Sequence, residues 1–217
     1  MNVATSHASC FFGDAVAYEA LAHAERARLL VISDSHGQTP LVHLLMQQAP
    51  VACDALCFCG DGVQDVLPVV AGAASDKTLS QAIPPVVVCV AGNNDAERCS
   101  VSGGRTVSIP QHVVMTVAGK TIAVVHGHRQ GVYYGLTALS RTARTLGVSC
   151  VLYGHTHSAR ESWEDGIYLM NPGSCAFPRG GLPASCAVLE VGSDFFATVF
   201  YRISVRDGIV SYEPFAP

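Results

Sequence analysis

The sequence predicts an α/β fold with two facing mixed β-sheets flanked by helices. Three observations carry that expectation. The first half of the chain alternates short apolar runs with stretches of helical spacing. Beyond residue 100 strands outnumber helices, and two packed sheets would hold them all. Composition agrees: 49% of residues are hydrophobic against 14% charged, as expected where central strands are covered on both faces.

Residues 1–28 read as an N-terminal extension, and 29–217 as a single domain without internal repeat or linker. Within the extension, residues 15–28 are rich in helix formers, with Val16, Ala20, Leu21 and Ala24 at helical spacing. A helix there is expected to pack on the domain or on a neighbouring subunit, which admits a homo-oligomer. Residues 29–33 form a strand, 40–48 a helix, 55–59 a strand, 63–71 a helix and 86–91 a β-branched strand. This alternation implies right-handed crossovers and a mostly parallel sheet. Residues 72–85, small, polar and ending in Pro84-Pro85, read as a surface loop. Strands at 107–117 and 121–125 flank a hairpin turn at Gly119-Lys120. A helix over 134–146 ends at Gly147. Strands at 151–153, 167–170, 187–191 and 198–205 complete the chain.

A net charge of -4 gives no reason to expect general nucleic-acid binding. No apolar run approaches the roughly 18 residues a membrane span needs, and the first residues lack a basic, then apolar, signal pattern. The nine cysteines are odd in number and include no C-x-x-C pair. They read as small buried hydrophobes in a reduced, cytoplasmic protein.

Chemistry is concentrated where strands end. Asp34-Ser35-His36, Gly60-Asp61-Gly62, Gly92-Asn93-Asn94-Asp95, His126-Gly127-His128 and Gly154-His155-Thr156-His157 each follow an apolar run at once. Ligands gather outside the carboxyl ends of strands in α/β sheets, so the five clusters should meet. Imidazole and carboxylate without thiolate suit borderline divalent ions such as manganese, iron or zinc. Residues i and i+2 of an extended chain face one side, so Asp34 can join His36, and His155 can join His157. Asp61 can bridge two ions through its two oxygens.

Taken together and in this order, D-x-H, G-D, G-N-x-D, H-G-H and G-H-T-H resemble the calcineurin-like metallophosphoesterase superfamily. Asn171-Pro172-Gly173-Ser174 and Pro178-Arg179 make the chain similar to its small YfcE-type phosphodiesterases. The resemblance spans roughly residues 29–191. It implies that Asp34, His36, Asp61 and His157 hold one ion, and that Asp61, Asn93, His126 and His155 hold a second. A hydroxide bridging the ions would then attack a phosphodiester. The ions implied are divalent, manganese first, with nickel, iron, zinc and cobalt compatible. The partner implied is a small phosphodiester, and no membrane.

Asp61, Asn93 and His128 are the candidates nearest the chemistry. His128 either contacts the ligands or substrate, or fills polar space. Asn94, Arg129 and Arg179 are candidate substrate contacts, the arginines because guanidinium suits phosphate. Asp95 either orients Asn93 or a histidine, or caps the following helix. Asp65 reads as a first-turn helix residue. The superfamily commonly places histidine where Asn94 stands. An amide cannot protonate a leaving group at neutral pH, which argues against monoesterase activity. A non-catalytic scaffold of the same fold, binding protein partners, is the alternative from another class. All seven ligand positions hold competent residues, which favours the enzyme.

Overall fold

The computed structural model describes residues 11–13, 15–101 and 105–217. The expected extension's first ten residues, His7 and Cys10 among them, lie outside this set. In chain order the elements are β1 (Phe11–Gly13), α1 (Ala15–His23), β2 (Arg26–Ile32), α2 (Thr39–Gln47), β3 (Ala55–Phe58), α3 (Val63–Ala73), α4 (Lys77–Ala82), β4 (Val86–Cys89), β5 (Arg98–Val101) and β6 (Arg105–Ser108). They continue with β7 (His112–Val117), β8 (Lys120–Val125), two 3₁₀ turns at His128–Gln130 and Val132–Tyr134, α5 (Thr137–Leu146), β9 (Cys150–Leu152), β10 (Ala159–Glu164), β11 (Ile167–Pro172), β12 (Ser185–Gly192), β13 (Phe196–Arg206) and β14 (Ile209–Phe215).

Two mixed sheets face each other, with helices outside. One has the order β1-β4-β3-β2-β12-β13-β14, the other β10-β11-β9-β8-β7; β5 and β6 form a separate ribbon. Between the sheets, Leu29, Val31, Cys57, Val88 and Leu189 meet Met115, Ile122, Val124, Leu152 and Met170 in one apolar core. Alternate residues of the same strands, Leu30, Ile32, Leu56, Phe58 and Val87, point the other way onto Val42, Leu45, Met46, Val66 and Val70 of α2 and α3. On the far side, Leu139 and Ala143 of α5 cover Ala123, Val125, Val151 and Leu169. Burial on both faces explains why β3 and β4 read as unbroken apolar runs rather than alternating ones.

Parallel pairing is confined to the sheet centres. Strands β2, β3 and β4 run parallel, as do β8, β9 and β11. The pairings of β1 with β4, β2 with β12, β12 with β13 and β13 with β14 are antiparallel, so the expected mostly parallel sheet is corrected to a mixed one. The central strands all deliver their carboxyl ends to one rim.

Other expectations need correcting. The 72–85 stretch holds a helix, α4, started by Asp76, whose carboxylate accepts the N–H groups of Thr78 and Leu79. The 107–117 strand is two strands, broken at Ile109-Pro110, with β6 turned away to pair with β5. The hairpin turn sits one residue earlier, at Ala118-Gly119, both at positive φ (48° and 73°) as a tight type I′ turn demands. The first helix stops at His23 because β2 already begins at Arg26, inside the segment assigned to the extension. That helix docks on the domain: Ala118 and Gly119 donate their N–H groups to the carbonyls of Leu21 and Ala22. The helix before Gly147 begins at Thr137, after the two 3₁₀ turns. No helix of the described residues is long and apolar enough to cross a membrane.

Candidate metal centre

The loops after β2, β3, β4, β8 and β9 meet as expected. Asp34, His36 and His157 each offer an atom within 4.8 Å of the other two, and Asp61, His126 and His155 do the same. The two groups touch. Asp61 Oδ2 lies 3.4 Å from His126 Nε2 and 3.8 Å from His36 Nε2, so one carboxylate oxygen sits between them. Asp34 Oδ1 is 3.4 Å from His157 Nε2 and 4.0 Å from His126 Nε2.

The arrangement fits cations better than it fits itself. His157 Nδ1 donates to the Phe177 carbonyl at 2.6 Å and His126 Nδ1 to the Cys59 carbonyl at 2.7 Å. A carbonyl only accepts, so each ring carries a proton at Nδ1 and aims Nε2 inward, where it offers a lone pair to a cation once the ring is neutral. His36 Nε2 approaches His157 Nε2 at 3.1 Å, and His155 Nδ1 approaches His126 Nε2 at 3.2 Å. Beside these nitrogens, Asp34 Oδ1 is buried without a hydrogen-bond donor. Buried acceptors crowded in this way call for positive charge. A divalent ion at each group would supply it, held by Asp34, His36 and His157 at one and by Asp61, His126 and His155 at the other.

Electrostatics follow. Burial pushes the Asp34 carboxyl up, against the pull of His126, the Ser33 hydroxyl and His157. Burial also opposes the Asp61 carboxylate, but His126 and the N–H groups of Asn94 hold it well below the usual range. The His126 ring is lowered by burial, yet the Asp61 and Asp34 carboxylates raise it overall. Burial, and then the charge of His126, bring His155 down to about 4, so it is neutral at pH 7.

Backbone geometry is equally specific. Asp34, His36, Asp61, His155 and His157 all have φ between 47° and 71°, a left-handed conformation non-glycine residues seldom adopt. Polar side chains, those of Asp65, Asn171 and Ser174 buried and that of Asp95 half-buried, hold these loops. Asp95 accepts four backbone N–H groups, from Asp61 (2.6 Å) and from Gly62, Val63 and Gly92 (2.9 Å each). It thereby caps α3 and locks the Asp61 loop to the Gly92 loop. Asp65 accepts from Ser35 Oγ, the Gly37 N–H and Thr39 Oγ1 at 2.6–2.9 Å, fastening the segment around His36. Asn171 donates to the Gly154 carbonyl and to Thr156 Oγ1, setting the loop that carries His155 and His157. Ser174 Oγ donates to the Asp34 carbonyl at 2.7 Å. At Gly92 a Cβ would stand 2.0 Å from Asp61 Oδ1, so only glycine allows this approach.

Of the remaining sequence candidates, Asn94 donates its backbone N–H to Asp61 Oδ1 (2.8 Å) and its amide to Asp61 Oδ2 (2.6 Å). Asn93 is exposed beside it. The His128 ring stands 5.3 Å from that of His126 and 6.1 Å from that of His155, and burial lowers its pKa. Arg129 faces Glu97 at 3.5 Å on the surface, away from both groups' hydrogen bonds. Arg179 donates its backbone N–H to the His157 carbonyl at 3.0 Å and its guanidinium to the Tyr133 hydroxyl. Sequence reasoning gave Asp65 only a helical role and left Asp95 undecided. The signal for Asp65 was its spacing of four residues after Asp61, which faces it back toward the site. Tyr133 and Phe177 carried no signal, since each lies in a short turn.

The model of the calcineurin-like phosphoesterase superfamily domain matches residues 28–194. The chain is 28% identical to the probable metallophosphoesterase YsnB of Bacillus subtilis, over 80% of this chain and 89% of that protein. It is 27% identical to the phosphodiesterase YfcE of Escherichia coli, over 75% and 87%. Among solved structures, wild-type Vps29 of Entamoeba histolytica complexed with zinc shares the fold, with a TM-score of 0.57 and 22% identity over 87% of this chain and 98% of that one.

Proposed function

From the premise that this chain belongs to the calcineurin-like phosphoesterase superfamily, we propose that it is a phosphodiesterase working with two divalent ions, manganese foremost. The observation that carries this reading is the pair of touching Asp/His groups with Asp61 Oδ2 between them. Bound there, the ions would supply positive charge to a phosphate and lower the pKa of water at the site. The chain's own part is placement. Asp34 and Asp61 provide anionic oxygens, and the histidines provide ring nitrogens, those of His126 and His157 oriented by carbonyls behind them. Loops clamped by Asp65, Asp95 and Asn171 keep these atoms from drifting.

Diester preference rests on Asn94. Its amide is occupied on Asp61 and cannot release a proton to a leaving oxygen. The names of the relatives YsnB and YfcE support phosphoester hydrolysis. The likeness to Vps29 carries the fold alone, and two adjacent Asp/His groups favour a hydrolase over a purely protein-binding role.

The test is a screen of metal-stripped protein reconstituted with manganese, nickel, iron, zinc or cobalt. Aryl phosphodiesters and monoesters are the substrates. Metal-dependent hydrolysis with diesters preferred is expected. Hydrolysis without metal, or a preference for monoesters, would overturn the proposal.

A further inference from the structure

An arc of side chains stands beside the metal centre and belongs to neither of its Asp/His groups. Phe177 is 47% exposed, with its ring edge-on to His36 at 5.8 Å between centroids. Tyr133 is 50% exposed, with its ring 4.8 Å from His155. Between them Arg179 joins both ends, through its backbone to His157 and its guanidinium to the Tyr133 hydroxyl. The arc therefore touches a histidine of each metal group.

These rings are anchored where they are polar and open where they are apolar. The Tyr133 hydroxyl donates to the His155 carbonyl at 2.9 Å and receives Arg179. Phe177 is fixed through its backbone: its N–H donates to Ser174 Oγ at 2.7 Å and its carbonyl receives His157 Nδ1. A half-exposed ring on an anchored residue loses less entropy when another ring covers it than one on a free loop would. Aromatic faces beside a guanidinium match a ligand that is planar and anionic together.

We propose that this arc recognises an aromatic substituent on the substrate, so that the phosphodiester cleaved here bears an aryl or nucleobase ring. The ring lies against Phe177 or Tyr133 while Arg179 faces the phosphate. This rests on the phosphodiesterase reading and names its substrate class. Dialkyl diesters leave both rings uncovered and bind more weakly.

The experiment holds the leaving group constant. Metal-loaded protein is given 4-nitrophenyl phosphodiesters whose second substituent is methyl, phenyl or thymidine. Stacking of this kind changes affinity by roughly 5- to 100-fold. A phenyl or thymidine advantage of that size in kcat/KM is expected, carried mainly by KM. Phe177→Leu and Tyr133→Leu should shrink it; Phe177→Trp and Tyr133→Phe should preserve it. The larger of the phenyl and thymidine values tells an aryl ligand from a nucleobase one. A second readout needs no turnover: calorimetric binding of phenylphosphonate against methylphosphonate. Tighter phenylphosphonate binding without hydrolysis of any diester would sink the reaction but sustain the recognition. Equal behaviour of methyl and aromatic compounds in both measurements would overturn the arc's role, whatever the rate of hydrolysis.

Discussion

Left-handed backbone at five of the six grouped Asp and His residues costs each about 1 kcal/mol or more, and folding alone gives no reason for it. What it achieves is direction. A residue at positive φ turns its side chain out of the strand line, and here it turns toward the rim where the groups meet. Asp61 depends on this most, because its Oδ2 serves both groups. Replacing Asp61 with Asn keeps the shape and removes the charge, so metal content and diester turnover should fall together, by tenfold or more in rate, as read by elemental analysis and kinetics. Two retained ions with a near-native rate would refute its bridging place. Asn94→His supplies the missing proton donor and should raise monoester hydrolysis at equal metal occupancy, by about tenfold, below the 10²–10⁴-fold range of well-placed acid catalysis. No gain with poor leaving groups would overturn this account of Asn94. His155 gives the pH prediction. Its folded pKa of about 4 lies below the ordinary 6.5, so between these values the unfolded chain binds more protons. The contribution of this group to stability is thus present above pH 6.5 and lost as pH falls toward 4. An NMR titration of the metal-free protein should place the His155 midpoint near 4; a midpoint at or above 6.5 would contradict the assigned surroundings.

At the scale of elements, legibility follows burial. Strands β2, β3, β4, β8 and β9 announce themselves because both faces are apolar, whereas β10 (ARESWE) is polar and mostly exposed and carries no period-2 apolar signal. Strand β14 hides for a related reason, with Pro214 in an edge strand where no further partner needs its N–H. Helix α4 was legible in principle through Asp76, but Pro84-Pro85 and the small residues around it outweighed that signal. Helix α1 was readable, with the domain or a neighbouring subunit as its expected partner, yet its docking place was not, since it depends on backbone groups of the β7–β8 turn. Leu21 is 3% exposed and packs into the core between the sheets. Leu21→Ala should therefore cost about 2–4 kcal/mol in a urea melt while leaving metal affinity unchanged. A loss below 0.5 kcal/mol would show that α1 merely rests on the surface.

For the whole molecule, convergence of the five clusters was legible because parallel strands must deliver their carboxyl ends to one rim. The clamps were less so, because Asp65, Asp95 and Asn171 act through backbone groups of loops remote in sequence. The aromatic arc was not legible, since only folding brings Tyr133 beside His155 and Phe177 beside His36. Two divalent ions are proposed to occupy two specific groups. Anomalous diffraction from crystals of the manganese-loaded protein tests this most directly. Two peaks per chain are predicted, one bounded by Asp34, His36 and His157 and the other by Asp61, His126 and His155. A single peak, or ions bound elsewhere with these side chains free, would contradict the account.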